Sequence, residues 1–218
     1  MEQLEPLPVS YEDVGIDLGV SKLTTLSNGE TIEHPRYLRK ASKRLEQLHQ
    51  SLSRKKRGSN RRKKAVKQLA KAYQKICNQR KDFLHKASRS LVNNYQMIVF
   101  EDIQTANLTK RPKQKQDEET GQYLPNGASS KAGLNKSILD AGWGQFLRYC
   151  TYKAASAGRT LLTVNPRNTS QVCSGCGTVK KKELNERWHS CECGTELDRD
   201  LNAAINILAL GRRVQVQT

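Results

Sequence analysis

The sequence predicts an α/β domain, a mixed sheet with helices, interrupted by a long basic helical hairpin and, near the C-terminus, by a small cysteine-bearing ribbon. Three observations carry this. Short runs with strand-like alternation open the chain, at Val14 to Val20, and further strand candidates follow to Val164. Between Tyr37 and Leu91 the apolar period changes to the helical one. Four cysteines, Cys173, Cys176, Cys191 and Cys193, cluster in a polar segment.

Taken in order, residues 1–13 read as a linker with Pro6 and Pro8 and no periodicity. In Val14-Gly15-Ile16-Asp17-Leu18-Gly19-Val20 the apolar residues alternate onto one face, leaving Asp17 on the other between two glycines that give it open space. Leu23 to Leu26 reads as a second strand, Asn28-Gly29 is a strong hairpin signal, and Glu30 to Glu33 returns as a third. Residues 37–93 form two helices, with Leu45, Leu48 and Leu52 on the first stripe. Val66, Leu69, Ala70, Tyr73, Ile76, Cys77, Leu84, Ala87 and Leu91 make the second, and Gly58-Ser59-Asn60 is the turn. Gln96 to Glu101 is a buried strand with its acid at the rim, and residues 104–137 are a long polar loop. One helix is expected from Ile138 to Gly158, then a strand from Thr160 to Val164. A last helix carries Leu201, Ile205 and Leu208 on one face, Gly211 is placed to end it, and 212–218 is a tail. The expected domain thus spans 14–168 and 195–211, with the ribbon at 169–194.

At 218 residues the chain suffices for one core with an insert. No apolar run approaches the roughly 18 residues of a membrane span, and the acidic start lacks the features of a secretory signal, so the cytoplasm is the expected compartment. Cys77 and Cys150 stand alone in apolar patterns as buried thiols, which fits a reduced compartment. The net charge of +17 favours a polyanionic partner. Its location says more: Arg36 to Arg89 holds 20 lysines and arginines against Glu46 and Asp82 alone, a balance of +18. A solvated helix face normally interleaves acids for i,i+4 pairing, and this one almost lacks them. The apolar stripe of the helix pair also allows self-association.

The cysteine spacing is the most specific signal. Cys173 and Cys176 form one knuckle, Cys191 and Cys193 the other, with fourteen residues between Cys176 and Cys191 and a glycine just past each pair. Four soft ligands in paired tight turns suit tetrahedral Zn2+, and a closed set of four marks a structural rather than a catalytic ion. His189 is an alternative ligand that more naturally sits beside the site. Among the acids, Asp17 on a strand face, Glu101 at a strand end and an acid opening the last helix are far apart in sequence yet able to converge at one end of a mixed sheet. Convergence of that kind serves two-metal chemistry on a phosphodiester, with Mg2+ or Mn2+ held by hard oxygen ligands. Asp198 has the position of an N-cap, Asp200 falls in the first turn where the helix dipole also favours an acid, and Asp102 is the neighbour of Glu101 on the opposite strand face.

Gly15-Ile16-Asp17-Leu18-Gly19, Phe100-Glu101-Asp102, the cysteine ribbon, and Asp198-Arg199-Asp200-Leu201-Asn202-Ala203-Ala204-Ile205-Asn206-Ile207 together resemble the RuvC-like nuclease domain of the TnpB family, transposon-encoded RNA-guided relatives of type V CRISPR effectors. The resemblance implies an RNase H-like (RuvC-like) fold and a catalytic, Mg2+-binding triad of Asp17, Glu101 and Asp200. It further implies DNA and a guide RNA as partners and a prokaryotic cytoplasm. Family members carry a guide- and target-recognition region ahead of this domain, whereas thirteen linker-like residues precede the first strand here. The chain is therefore expected to be a metal-dependent DNA endonuclease domain lacking that region. The alternative is a nucleic-acid-binding partner of full-length TnpB without cleavage of its own.

Overall fold

The computed structural model describes residues 7–183 and 186–216. The first six residues of the expected linker and the last two of the expected tail lie outside it. The elements are β1 Asp13–Leu18, β2 Lys22–Leu26, β3 Thr31–Glu33, α1 Tyr37–Ser53, α2 Asn60–Asn94, β4 Met97–Glu101, α3 Thr105–Leu108, β5 Lys115–Gln116, β6 Tyr123–Leu124, α4 Ala128–Ala141, α5 Trp143–Ser156, β7 Thr160–Val164, β8 Trp188–Ser190, β9 Glu196–Asp198 and α6 Arg199–Val216. By compactness the chain forms two units, Met1–His34 with Ala87–Thr218, and Pro35–Lys86.

In the larger unit a five-stranded mixed sheet runs in the order β3-β2-β1-β4-β7. The hairpin at Asn28-Gly29, with Gly29 at φ 90°, makes β1-β2-β3 an antiparallel meander. β4 and β7 add in parallel beside β1. Every residue of β4 is buried, as its unbroken apolar run requires of a central parallel strand. One face of the sheet is covered by α6, with Ile207 packed among Met97, Val99 and Val164. α5 contributes Phe146, whose ring stands edge-on to Phe100 at 5.9 Å.

Several expectations are corrected. The predicted helix from Ile138 to Gly158 is two helices, because Gly142 takes a left-handed conformation at φ 71° and serves as both the end of α4 and the start of α5. α4 begins at Ala128, so much of the expected loop at 104–137 is helical, and α3 and the β5-β6 hairpin occupy more of it. Gly211 does not end the last helix: α6 runs on to Val216 through the expected tail. It is a contact residue instead, buried where an added Cβ would meet both methyls of Val99 well inside van der Waals distance. The buried stripe of α6 is Asn202, Ala203, Ala204, Ile207 and Gly211, rotated from the expected Leu201, Ile205 and Leu208. Small residues let this helix lie close on the sheet. Gly211→Ala should therefore lower stability by about 1–3 kcal/mol through overpacking, outweighing the roughly 1 kcal/mol that alanine gains over glycine in a helix. Denaturant unfolding checks this, and a stabilised variant would refute it.

The smaller unit is an antiparallel pair made by α1 and the first part of α2. Leu45 and Leu48 are buried against it, Tyr37 meets Phe83 edge-on at 6.4 Å, and His49 hydrogen-bonds Tyr73 at 2.9 Å. Arg62 Nη1 donates to the carbonyls of Leu52 and Lys55, satisfying the open end of α1. Of the expected α2 stripe, Ile76, Leu84, Ala87 and Leu91 are buried, as is Ala65, whereas Val66, Ala70 and Tyr73 are exposed. Cys77, expected inside, is exposed, whereas Cys150 is buried. Most of the basic side chains face outward, with one carboxylate pairing shown among them, Lys86 with Asp82 at 2.8 Å. Among the described residues no helix is long and apolar enough to cross a membrane.

Candidate active site and metal centre

The parallel register pairs Ile16 with Phe100. The next residue of each strand, Asp17 and Glu101, therefore lies beside the other and projects to the same face. Gly15 shares that face, and a Cβ there would run into Ala204 O and Leu208 of α6. The glycine thus allows close approach of helix to strand, rather than leaving the open space expected of it. One helical turn before Ala204 is Asp200, and two residues beyond Gly15 is Asp17, so the crossing that presses α6 onto β1 brings Asp200 toward Asp17.

Electrostatics agree with this placement. Asp17 holds its proton well above the ordinary aspartate range, first because burial strips water from it, then because Glu101 and Asp200 oppose a further negative charge; Arg199 partly offsets them. Glu101 is raised by burial, against which its hydrogen bond from Thr169 acts. Asp200 sits in the first turn of α6 with Arg199 Nε at 3.6 Å. Asp198 does something else: its Oδ1 accepts the backbone N–H of Asp200 at 2.8 Å and of Leu201 at 3.4 Å, the work of an N-cap. Asp102 lies outside the group, exposed and hydrogen-bonded by Gln104. Trp143 Nε1 donates to Gly19 O, two residues beyond Asp17, at 3.3 Å.

The sulfurs of Cys173, Cys176, Cys191 and Cys193 all lie within 4.8 Å of one another. Sulfurs of Cys173 and Cys193 are 3.6 Å apart, as are those of Cys176 and Cys191. A tetrahedron with metal–sulfur bonds of about 2.3 Å has edges of roughly 3.8 Å, so the spacing suits one ion of that kind. Each knuckle is built the same way. Gly177 N donates to Cys173 O and Cys173 N to Thr178 O; Gly194 N donates to Cys191 O and Cys191 N to Thr195 O. Gly177 and Gly194 both require positive φ, at 79° and 86°. Burial opposes ionisation of Cys173, but the His189 imidazole and the N–H groups of Cys176 and Gly175 outweigh it, bringing the thiol down to about 5. His189 itself is fully buried on β8 beside the cluster. Among the described residues these four cysteines are the one group of three or more His, Cys, Asp or Glu side chains so tightly gathered; the three carboxylates are more loosely associated.

Three residues not anticipated as functional join the two sites. Thr169, buried, donates its hydroxyl to Glu101 Oε1. Asn206 Nδ2 donates to Thr169 O at 2.9 Å and Val172 O at 2.7 Å. Asn202, fully buried, donates to Val172 O at 2.7 Å and accepts Ser174 N at 3.0 Å. The signal was present in the sequence as two asparagines four apart on a helix face that otherwise carries Ala203, Ala204 and Ile207. A cleft of about 430 Å³ opens alongside, between the first knuckle and α6, with Arg167, Asn206 and Arg213 on its walls.

Comparison with known proteins finds matches along most of the chain. The family described as probable transposase, of the OrfB type, matches residues 1–112, and the Cas12f1-like TNB domain matches residues 143–207. A Streptomyces pristinaespiralis protein named "Putative RNA-guided DNA endonuclease" is 38% identical over 96% of this chain and 48% of its own length. InsQ of Escherichia coli K12, named likewise, is 37% identical over 96% of this chain and 51% of its own length. The chain thus spans about half the length of these relatives. The protein in the cryo-EM structure of the Cas12f1–sgRNA–target DNA complex shares the fold, with a TM-score of 0.56 at 17% identity, over 94% of this chain and 51% of its own.

Proposed function

From the premise that the chain belongs to the OrfB-type transposase family, the family of TnpB, we propose that it is a RuvC-like nuclease domain. It hydrolyses DNA phosphodiesters at Asp17, Glu101 and Asp200, and its four-cysteine ribbon holds a structural zinc. The observation that carries this reading is the approach of Asp17 to Glu101 and Asp200 at one end of the sheet, where burial first and then those two acids raise the Asp17 carboxyl above its ordinary range. Arg199, 3.6 Å from Asp200, offsets the charge of this cluster only in part, and the donors are the hard oxygens that Mg2+ or Mn2+ prefers. When bound, such ions activate water and stabilise the leaving oxygen.

The chain's own residues supply the rest. Asp17 and Glu101, fixed on adjacent parallel strands, and Asp200, fixed on α6, converge on one scissile phosphate. Arg199 moderates the repulsion among them, and the capping role of Asp198 leaves Asp200 as the third acid. The exposed basic hairpin at 36–89 gathers nucleic-acid backbone by charge, with affinity that falls steeply as salt rises. Guide RNA and target DNA are the partners this reading assigns, on the analogy of the Cas12f1 complex, which contains both.

The test uses the purified chain with end-labelled single-stranded DNA. Nicking is expected with Mg2+ or Mn2+ and none with chelator. Salt-sensitive binding without any nicking in Mn2+ would overturn cleavage by this chain and favour the alternative, a nucleic-acid-binding partner of a longer TnpB, to which the hairpin charge already lends support.

A further inference from the structure

We infer that Thr169 is a positioning residue for Glu101, and that through it formation of the divalent-metal site depends on the cysteine-bearing segment. The inference rests on the reading of Asp17, Glu101 and Asp200 as metal ligands. A glutamate side chain has three rotatable bonds, so a strand-end position alone does not aim its carboxylate. Thr169 supplies the missing constraint by donating its hydroxyl to Oε1 of the buried carboxylate.

The constraint works only if Thr169 is itself fixed, and four contacts fix it. Asn168 before it takes a left-handed turn at φ 66°. The N–H groups of Gln171 and Val172 close that turn onto Asn168 O, each at 2.9 Å. The Thr169 hydroxyl is also within 3.2 Å of Pro166 O. Its carbonyl accepts from Asn206, whose second N–H reaches Val172 O. Val172 directly precedes Cys173, so the segment that aims Glu101 is pinned at one end to α6, which carries Asp200, and runs at the other into the first thiol ligand. Losing such a hydrogen-bond partner of a metal ligand typically costs about 10–100-fold in metal affinity.

The test is Mn2+ binding, read by EPR as the loss of free-ion signal, with zinc content and thermal midpoint measured on each protein. Thr169→Val keeps the shape and removes the hydroxyl, Thr169→Ser keeps the hydroxyl, and Asp17→Ala marks the site. The wild type is expected to bind Mn2+ in a manner lost in Asp17→Ala. Thr169→Val should weaken that binding by about tenfold or more while retaining its zinc, and Thr169→Ser should stay within about threefold of wild type. Wild-type affinity in Thr169→Val overturns the inference alone, as does equal weakening in Thr169→Ser. Absence of Asp17-dependent Mn2+ binding in the wild type overturns the metal-site reading beneath it.

Discussion

Replacing Asp17 by asparagine is expected to lower metal-dependent DNA cleavage by about 10²–10⁴-fold, the several kcal/mol that a lost metal contact removes from transition-state stabilisation. The same substitution should stabilise the metal-free fold. The Asp17 carboxyl ionises in the folded chain well above its usual range, because burial and then Glu101 and Asp200 oppose the charge. An unfolded chain loses that proton near about pH 3.9. Stability from the neutral acid is therefore fully present below that pH, and is lost as pH rises through the folded value. Asparagine never ionises and escapes the loss. In chelator at pH 8 the variant should be more stable by about 0.5–2 kcal/mol, the usual gain where an active-site charge is removed, and the gap should close toward pH 4. Thermal unfolding at both pH values decides it. A variant less stable than wild type at pH 8 would mean that Asp17 has a compensating partner, and retained cleavage would remove it from the catalytic site.

Loss of the ribbon's metal should have the second large effect, and it should be local. Cys176→Ser is expected to reduce bound zinc from one per chain to none. Structural zinc sites carry an apparent free energy of roughly 10–16 kcal/mol at neutral pH, which for a segment with little apolar core is its folding energy. β8 and β9 are three residues each, and apart from Thr169, Cys173 and His189 the described residues of the ribbon are not buried. Its order should fail without the ion. Amide exchange should then show protection lost across 172–198 and in the first turn of α6, where Asn202 holds Val172 and Ser174. β1 and β4, enclosed by the sheet and by Phe146, should stay protected. Unchanged exchange in the ribbon after zinc is gone would show that the thiols are not its support.

Much of this architecture was legible in local pattern. The meander through Asn28-Gly29, the buried run ending in Glu101, the two basic helices and the paired cysteines all announce themselves within windows of a few residues. What failed was whatever depends on partners distant in sequence. Gly211 has a helix-ending residue type, but Val99, more than a hundred residues away, turns it into a packing contact inside α6. The stripe on α6 was misassigned toward large aliphatics because the sequence alone hides how closely that helix lies on the sheet, and closeness selects Ala203, Ala204 and Gly211. Gly142 splits a periodic segment by one backbone angle that a periodic count cannot register. For the candidate site, Asp17 could be named because a carboxylate between two strand glycines has few structural uses, while Glu101 and Asp200 were singled out by their resemblance to a family motif. Thr169, Asn202 and Asn206 could not be named, since threonine and asparagine have many such uses.

The packing of α6 on β1 also sets a clock. Asp17 and Asp200 stand at opposite ends of the chain, so on a ribosome the third carboxylate follows the first by roughly 10–40 s at ordinary rates of synthesis. The basic hairpin emerges long before that. A nascent chain can therefore hold polyanions while the groove beside Gly15 is still empty and its acids remain apart. On the proposed reading, the surface that would bind nucleic acid is made before the acids that would cut it can meet.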